Sequence, residues 1–180
     1  MESNVLSFNL RLTSGGAISV SGTLKAETSS ITSTVSRGVG IESSGTVSAG
    51  TSITVTNNST IAAAPISITG GVLSAGTDIT IVNIAQNYQG FVCQNATVNA
   101  ENTISTTLSY AEWSTRAIEV SSGCKMSAQT IKGKIPSSNT DGYGLYIGSG
   151  GSITASSAIY YCPRYSNNGT VNKTPMQNCN

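Results

Sequence analysis

SSGTVSAGTSITV, residues 43–55, and TGGVLSAGTDITI, residues 69–81, are two spellings of one phrase, and their recurrence decides how the rest of the chain is read. Aligning the whole sequence on the Ala of that phrase gives six copies, at Ala26, Ala49, Ala75, Ala100, Ala128 and Ala155, at intervals of 23–28 residues. Two positions before each Ala stands a bulky apolar residue: Leu24, Val47, Leu73, Val98, Met126 and Ile153. About eight before stands another, Ile18, Ile41, Ile68, Val92, Val120 and Ile147, and three to five after comes Ile31, Ile53, Ile79, Ile104, Ile131 or Ile159. A repeat this regular fixes an architecture before any local propensity is weighed.

The residues between the apolar columns say how each copy folds. Apolar and polar positions alternate with period two, the pattern of a strand with one wet face. Small turn formers such as Ser44-Gly45, Gly70-Gly71 and Gly150-Gly151 precede each strand, so the chain bends there. Thr28, Thr51, Thr77, Asn102, Thr130 and Ser157 mark a second corner. Short strands in a repeat of about 25 residues, without helical or heptad period, predict an all-β chain forming a single parallel β-helix. It has about six coils of 23–28 residues. The usual preference for parallel crossovers makes it right-handed. The expected divisions are an N-terminal strand in 1–14, the repeats in 15–160 and a C-terminal tail or cap in 161–180.

GTVSAGTSITV and GVLSAGTDITI resemble the GxLxAGxxIxV rungs of bacterial surface β-helices of the filamentous-haemagglutinin and autotransporter types. GGAI at 15–18 is similar to a short tag in polymorphic outer-membrane adhesins. The resemblance implies a secreted or surface-displayed, adhesive or fibrous role, and it carries no catalytic residue and no cofactor with it.

Composition narrows the function classes independently. Ser and Thr supply 52 of 180 residues, the charged fraction is 9% and the formal net charge is +1. Without a basic stripe the chain lacks the electrostatic footprint of a nucleic-acid or anionic-membrane binder. Its apolar runs fall far short of the roughly 20 residues that span a bilayer, so membrane insertion is not expected. The opening MESNVLSFNLRLTSGG reads as a strand rather than as an export signal. In it Leu6, Phe8, Leu10 and Leu12 share one face, which must cover an apolar surface, in this chain near Ile18 and Val20 or in a neighbouring copy. These four are the assembly candidates.

Four cysteines and no histidine leave no zinc-type spacing, so no metal site is expected. Cys162 and Cys179 flank the tail and are the expected disulfide, whereas Cys93 and Cys124 fall in different columns and read as buried thiols. Sequons at Asn57, Asn58, Asn95, Asn168 and Asn172 leave glycosylation open. The best catalytic grouping that can be assembled is Glu112 and Glu119 flanking Arg116 in one loop, with Asp141 in the next. Solvated loop charges explain them better, and no catalytic residue is assigned.

Aromatic residues gather in the second half. Tyr88, Tyr110, Trp113, Tyr143 and Tyr146 are candidate carbohydrate contacts, Tyr165 lies with them toward the C-terminus, and packing over the solenoid's flank is the competing role. The expectation is a non-enzymatic extracellular or cell-surface module, structural or adhesive, partnered by its own copies or by a surface glycan. The alternatives are a carbohydrate-binding or polysaccharide-degrading β-helix, or an ice-binding protein. The outward Thr/Ser columns resemble the threonine arrays of the last class in spacing, although Lys25, Val72, Asn99 and Lys125 interrupt them.

Overall fold

The computed structural model describes residues 8–12, 18–35, 39–58, 64–83, 89–111 and 114–180, with backbone alone at 8–12 and 35. A strand β1 (Phe8–Leu12) leads into four turns of three strands. These are β2 (Ile18–Val20), β3 (Thr23–Ala26) and β4 (Ile31–Val35); β5 (Ile41–Ser43), β6 (Thr46–Ala49) and β7 (Ile53–Asn57); β8 (Ile66–Ile68), β9 (Val72–Ala75) and β10 (Asp78–Asn83); and β11 (Gln89–Gln94), β12 (Thr97–Ala100) and β13 (Thr103–Leu108). In the next two turns the second and third strands merge, giving β14 (Arg116–Ser121) with β15 (Lys125–Lys134), then β16 (Tyr143–Ile147) with β17 (Ser152–Cys162). The last turn is a small one, β18 (Tyr165–Asn167), β19 (Thr170–Val171) and β20 (Met176–Gln177).

Every pairing is parallel and joins a strand to its counterpart one turn away, so the chain is a β-solenoid with three faces. The first face stacks β2, β5, β8, β11, β14, β16 and β18. The second runs from β3 to the leading half of β17, and the third from β1 to its trailing half. At a parallel spacing of about 4.8 Å, the seven strands stacked on the first face rise roughly 29 Å.

The register bears out three of the columns read from sequence. Leu24, Val47, Leu73, Val98, Met126 and Ile153 are mutual partners up the second face, and the Ala column runs beside them. Ile31, Ile53, Ile79, Ile104, Ile131 and Ile159 form one unbroken file on the third face. From Val47 and Ile53 onward the bulky members of these files are at most 1% exposed. The variable count between Ala and Ile is absorbed at the corner, where β15 and β17 carry an irregularity in register.

The first-face column needs correction. It is two columns, Ile18–Ile41–Ile66–Phe91–Ile118–Leu145 and Val20–Ser43–Ile68–Cys93–Val120–Ile147. The turn into the second face lengthens along the rod, from six residues between Ile18 and Leu24 to eight between Leu145 and Ile153, so counting back a fixed distance crosses from one column to the other. Val92 belongs to neither: it pairs with Ser67 and Glu119, in the outward file.

Glycine is required where turns stack closely. Gly71 has φ +68°, and a Cβ there or at Gly76 would collide with the carbonyl oxygen of Gly45 or Gly50 one turn below. Asn95, also in the left-handed region at φ +49°, makes the equivalent bend before β12.

Both cysteine pairs are disulfides. Cys162–Cys179 is as expected and fastens the last small turn to the rod. Cys93–Cys124 corrects the reading of these two as thiols: Ser122 and Gly123, at φ +50° and +81°, fold the chain back so that Cys124 enters the interior within 5.8 Å, Cα to Cα, of Cys93. Sequence columns treat each coil as flat and miss such a return. Among the sequons, Asn57 is fully buried, and the amide of Asn172 bonds both the N–H and the carbonyl of Ala155.

The N-terminal strand is paired inside the chain, but to β4, in the register Phe8 to Ile31 through Leu12 to Val35, rather than to Ile18 and Val20. It adds a part-turn below the Ile file. Leu6 lies outside the described residues.

Candidate functional site

The first face changes character toward the C-terminus. Its outward positions run Ser19, Glu42, Ser67, Val92, Glu119, Tyr146 and Ser166, one per turn, because each lies between two inward residues of a strand with period two. A shorter file, Gln89, Arg116 and Tyr143, lies at the leading edge of the same face. The last turns therefore bring Arg116, Glu119, Tyr143 and Tyr146 together.

Their contacts form a chain. The Arg116 guanidinium lies 2.9 Å from the Glu119 carboxylate and 3.7 Å from the centroid of the Tyr146 ring. Glu119 is only 7% exposed and also accepts a bond from the Gln89 amide at 3.2 Å. Tyr146 meets Tyr143 edge to face at 5.7 Å, and the Arg164 guanidinium covers Tyr143 at 4.7 Å. Arg164 donates from Nη1 to the Thr140 carbonyl at 2.8 Å. The loop holding Thr140 is itself ordered, since Asn139 Oδ1 accepts from the N–H groups of Asp141 and Gly142.

Around the corner the third face carries a third cation–ring pair, Lys132 lying 5.7 Å from the Tyr160 centroid. The alternation of Lys132, Gly133 and Lys134 in β15 puts both lysines on the outer side. Tyr161 stacks on Tyr165 at 5.5 Å, and loss of solvent around Tyr165 raises its phenol above the ordinary tyrosine range.

Chemically, this flank offers ring faces and oriented cations. Arg116 and Glu119 do not lie in the expected loop but three residues apart in strand β14, neutralising each other. Glu112 lies outside the described residues, and Asp141 is exposed. Among the described residues no group of three or more His, Cys, Asp or Glu could hold a metal ion. Among the described residues no helix is long and apolar enough to cross a membrane.

Of the candidate sugar contacts, Tyr143 and Tyr146 are brought together, Tyr110 is 37% exposed just beyond β13, and Tyr88 and Trp113 lie outside the described residues. Sequence reading missed Arg164, Lys132 and Tyr160 as members of the cluster; alternation in KGK was the available signal for the lysine.

A second outward array was also missed. The third face presents Thr32 and Thr34, Thr54 and Thr56, Thr80 and Val82, and Ser105 and Thr107 in two adjacent files, a more regular hydroxyl lattice than the second face offers. The recurring Thr-x-Thr of the third strands was the signal for it.

No protein-family model matches the chain, and neither a curated protein nor a solved structure matches it.

Proposed function

We propose that this chain is a non-enzymatic extracellular or cell-surface β-solenoid of the filamentous-haemagglutinin or autotransporter type, serving as a rigid adhesive module. The observation that carries this reading is the Cys93–Cys124 bridge, which joins adjacent turns inside the rod together with the second bridge at its C-terminal end. Paired structural disulfides belong to oxidising compartments, outside the cytosol. In support, the two phrases that resemble surface β-helix rungs coincide with β6–β7 and β9–β10, with Gly50 and Gly76 at the tight corner. The test is adhesion of beads coated with the full oxidised chain to an array of surface glycans, with reducing-end release assayed on the same array. Adhesion without release supports the reading. Release of reducing ends would make the chain a hydrolase or lyase, and absence of adhesion would remove the adhesive role.

A second reading, recognition of ice, is favoured by the third-face lattice alone. Its hydroxyl files are separated by about 4.8 Å between turns and about 6.6 Å along a strand. Thermal hysteresis that disappears in Thr54→Tyr would establish it in place of adhesion.

A further inference from the structure

We infer that the C-terminal corner of the rod, between its third and first faces, binds an acidic polysaccharide of the uronate type. This rests on the adhesive reading and names its ligand class. The first observation is charge segregation: residues 1–115 hold three Lys/Arg against six Asp/Glu, while residues 116–180 hold six against two. The near-neutral total hides a rod whose C-terminal part is cationic. The second is that this charge is left uncompensated where the rings are. Arg116 is neutralised by Glu119, but among the described residues Arg164, Lys132 and Lys134 have no carboxylate within ion-pair distance.

Arg164 is the centre of the site. Ring contact with Tyr143 and one hydrogen bond to the Thr140 carbonyl fix its plane, while the side chain stays exposed with further N–H groups to donate. A guanidinium held in this way loses little freedom on meeting a planar carboxylate, which it can engage through two parallel bonds. Lys132, exposed beside Tyr160 across the corner, supplies a second cation next to a second ring. A polymer that repeats a carboxylate on a sugar ring matches both elements of this surface, the cations through its charge and the tyrosines through its C–H faces. Nucleic acid needs a denser phosphate-neutralising stripe than three cations at one corner provide. Asp141, exposed in the same loop, opposes the ligand's charge.

The experiment is titration of the full oxidised chain with polygalacturonate, with three comparison ligands: its fully methyl-esterified form, polyglutamate and a single-stranded oligonucleotide. Polygalacturonate is expected to bind in a salt-dependent manner, at least about tenfold more tightly than each of the three. Arg164→Gln, and Lys132→Gln with Lys134→Gln, should each weaken it about tenfold or more, the scale of a lost charge-assisted bond. Asp141→Asn should strengthen it, and Lys25→Gln, near the other end of the rod, should leave it unchanged. Equal binding of polyglutamate or the oligonucleotide, or an Arg164→Gln chain that melts and binds like the parent, overturns the inference. Adhesion to neutral glycans alone would overturn it while leaving the adhesive module standing.

Discussion

Cys93 and Cys124 are bonded to each other although the register sets Cys93 opposite Val120, four residues earlier. The bond is possible because Ser122 and Gly123 adopt left-handed backbone and return the chain to the interior. Its two ends are 31 residues apart, and both cysteines are fully buried. Closing a loop of that size restricts the unfolded chain by about 3–4 kcal/mol. Replacing both by Ser should therefore lower unfolding free energy by about that amount in denaturant titration, and non-reducing peptide mapping of the parent should recover both this link and Cys162–Cys179.

Val98 and Asn99 are neighbours with opposite surroundings. Val98 is fully buried between Leu73 and Met126, whereas Asn99 faces outward and accepts a 2.6 Å bond from the Ser127 hydroxyl. Val98→Asp places a carboxylate where nothing can solvate it and should abolish cooperative folding. Asn99→Asp keeps the accepting oxygen and should shift stability by less than about 1 kcal/mol. Equal melting temperatures for the two variants would refute the register.

Gly76→Ala tests how tightly turns stack. The added methyl would meet the Gly50 carbonyl oxygen, part of the neighbouring turn's backbone and unable to move alone. A loss of about 1–3 kcal/mol is expected. Gly22→Ala, where no atom lies within 4 Å, is the matched control and should be near neutral.

What was legible in the sequence was whatever repeats at constant spacing. The Leu24-to-Ile153 and Ile31-to-Ile159 files could be read because Ala anchors both and strand alternation is rigid at period two. The first face could be read only in outline, since its connecting turn grows by two residues along the rod. The Cys93–Cys124 bond depends on two left-handed residues and leaves no mark in the columns. The cation–ring cluster was half visible: Tyr143 and Tyr146 stand out by residue type, but Arg164 joins them only because β18 adds a further turn, which short strands in a polar tail do not announce.

Tyr165 gives the last turn a pH dependence. Burial raises its phenol above the usual value near 10, with Tyr161 adding to the shift and a hydrogen bond with Asn167 opposing it. A raised folded-state value means the folded chain holds the proton more tightly than the unfolded one. The associated stability is thus complete below about pH 10 and is lost as pH rises through the folded value. Melting temperature should fall above pH 10, and Tyr165→Phe should reduce that fall, each chain being compared with its own melt at pH 7.

The N-terminal strand is the sharpest test of how the rod ends. Sequence reading allows it to join copies together, yet β1 is spent within the chain, lying along β4 from Phe8 opposite Ile31 to Leu12 opposite Val35. Removing residues 1–13 strips that cover and leaves β4 as a bare parallel edge over the Ile31 and Ile53 file. Unpaired edges with apolar residues behind them recruit other strands. The truncated chain is therefore expected to melt lower than the parent and to elute larger on size exclusion. A synthetic peptide of residues 1–13 should reverse both changes by strand addition. If truncation instead converts an oligomeric parent into a stable monomer, β1 is the joint between copies rather than the cover of its own rod.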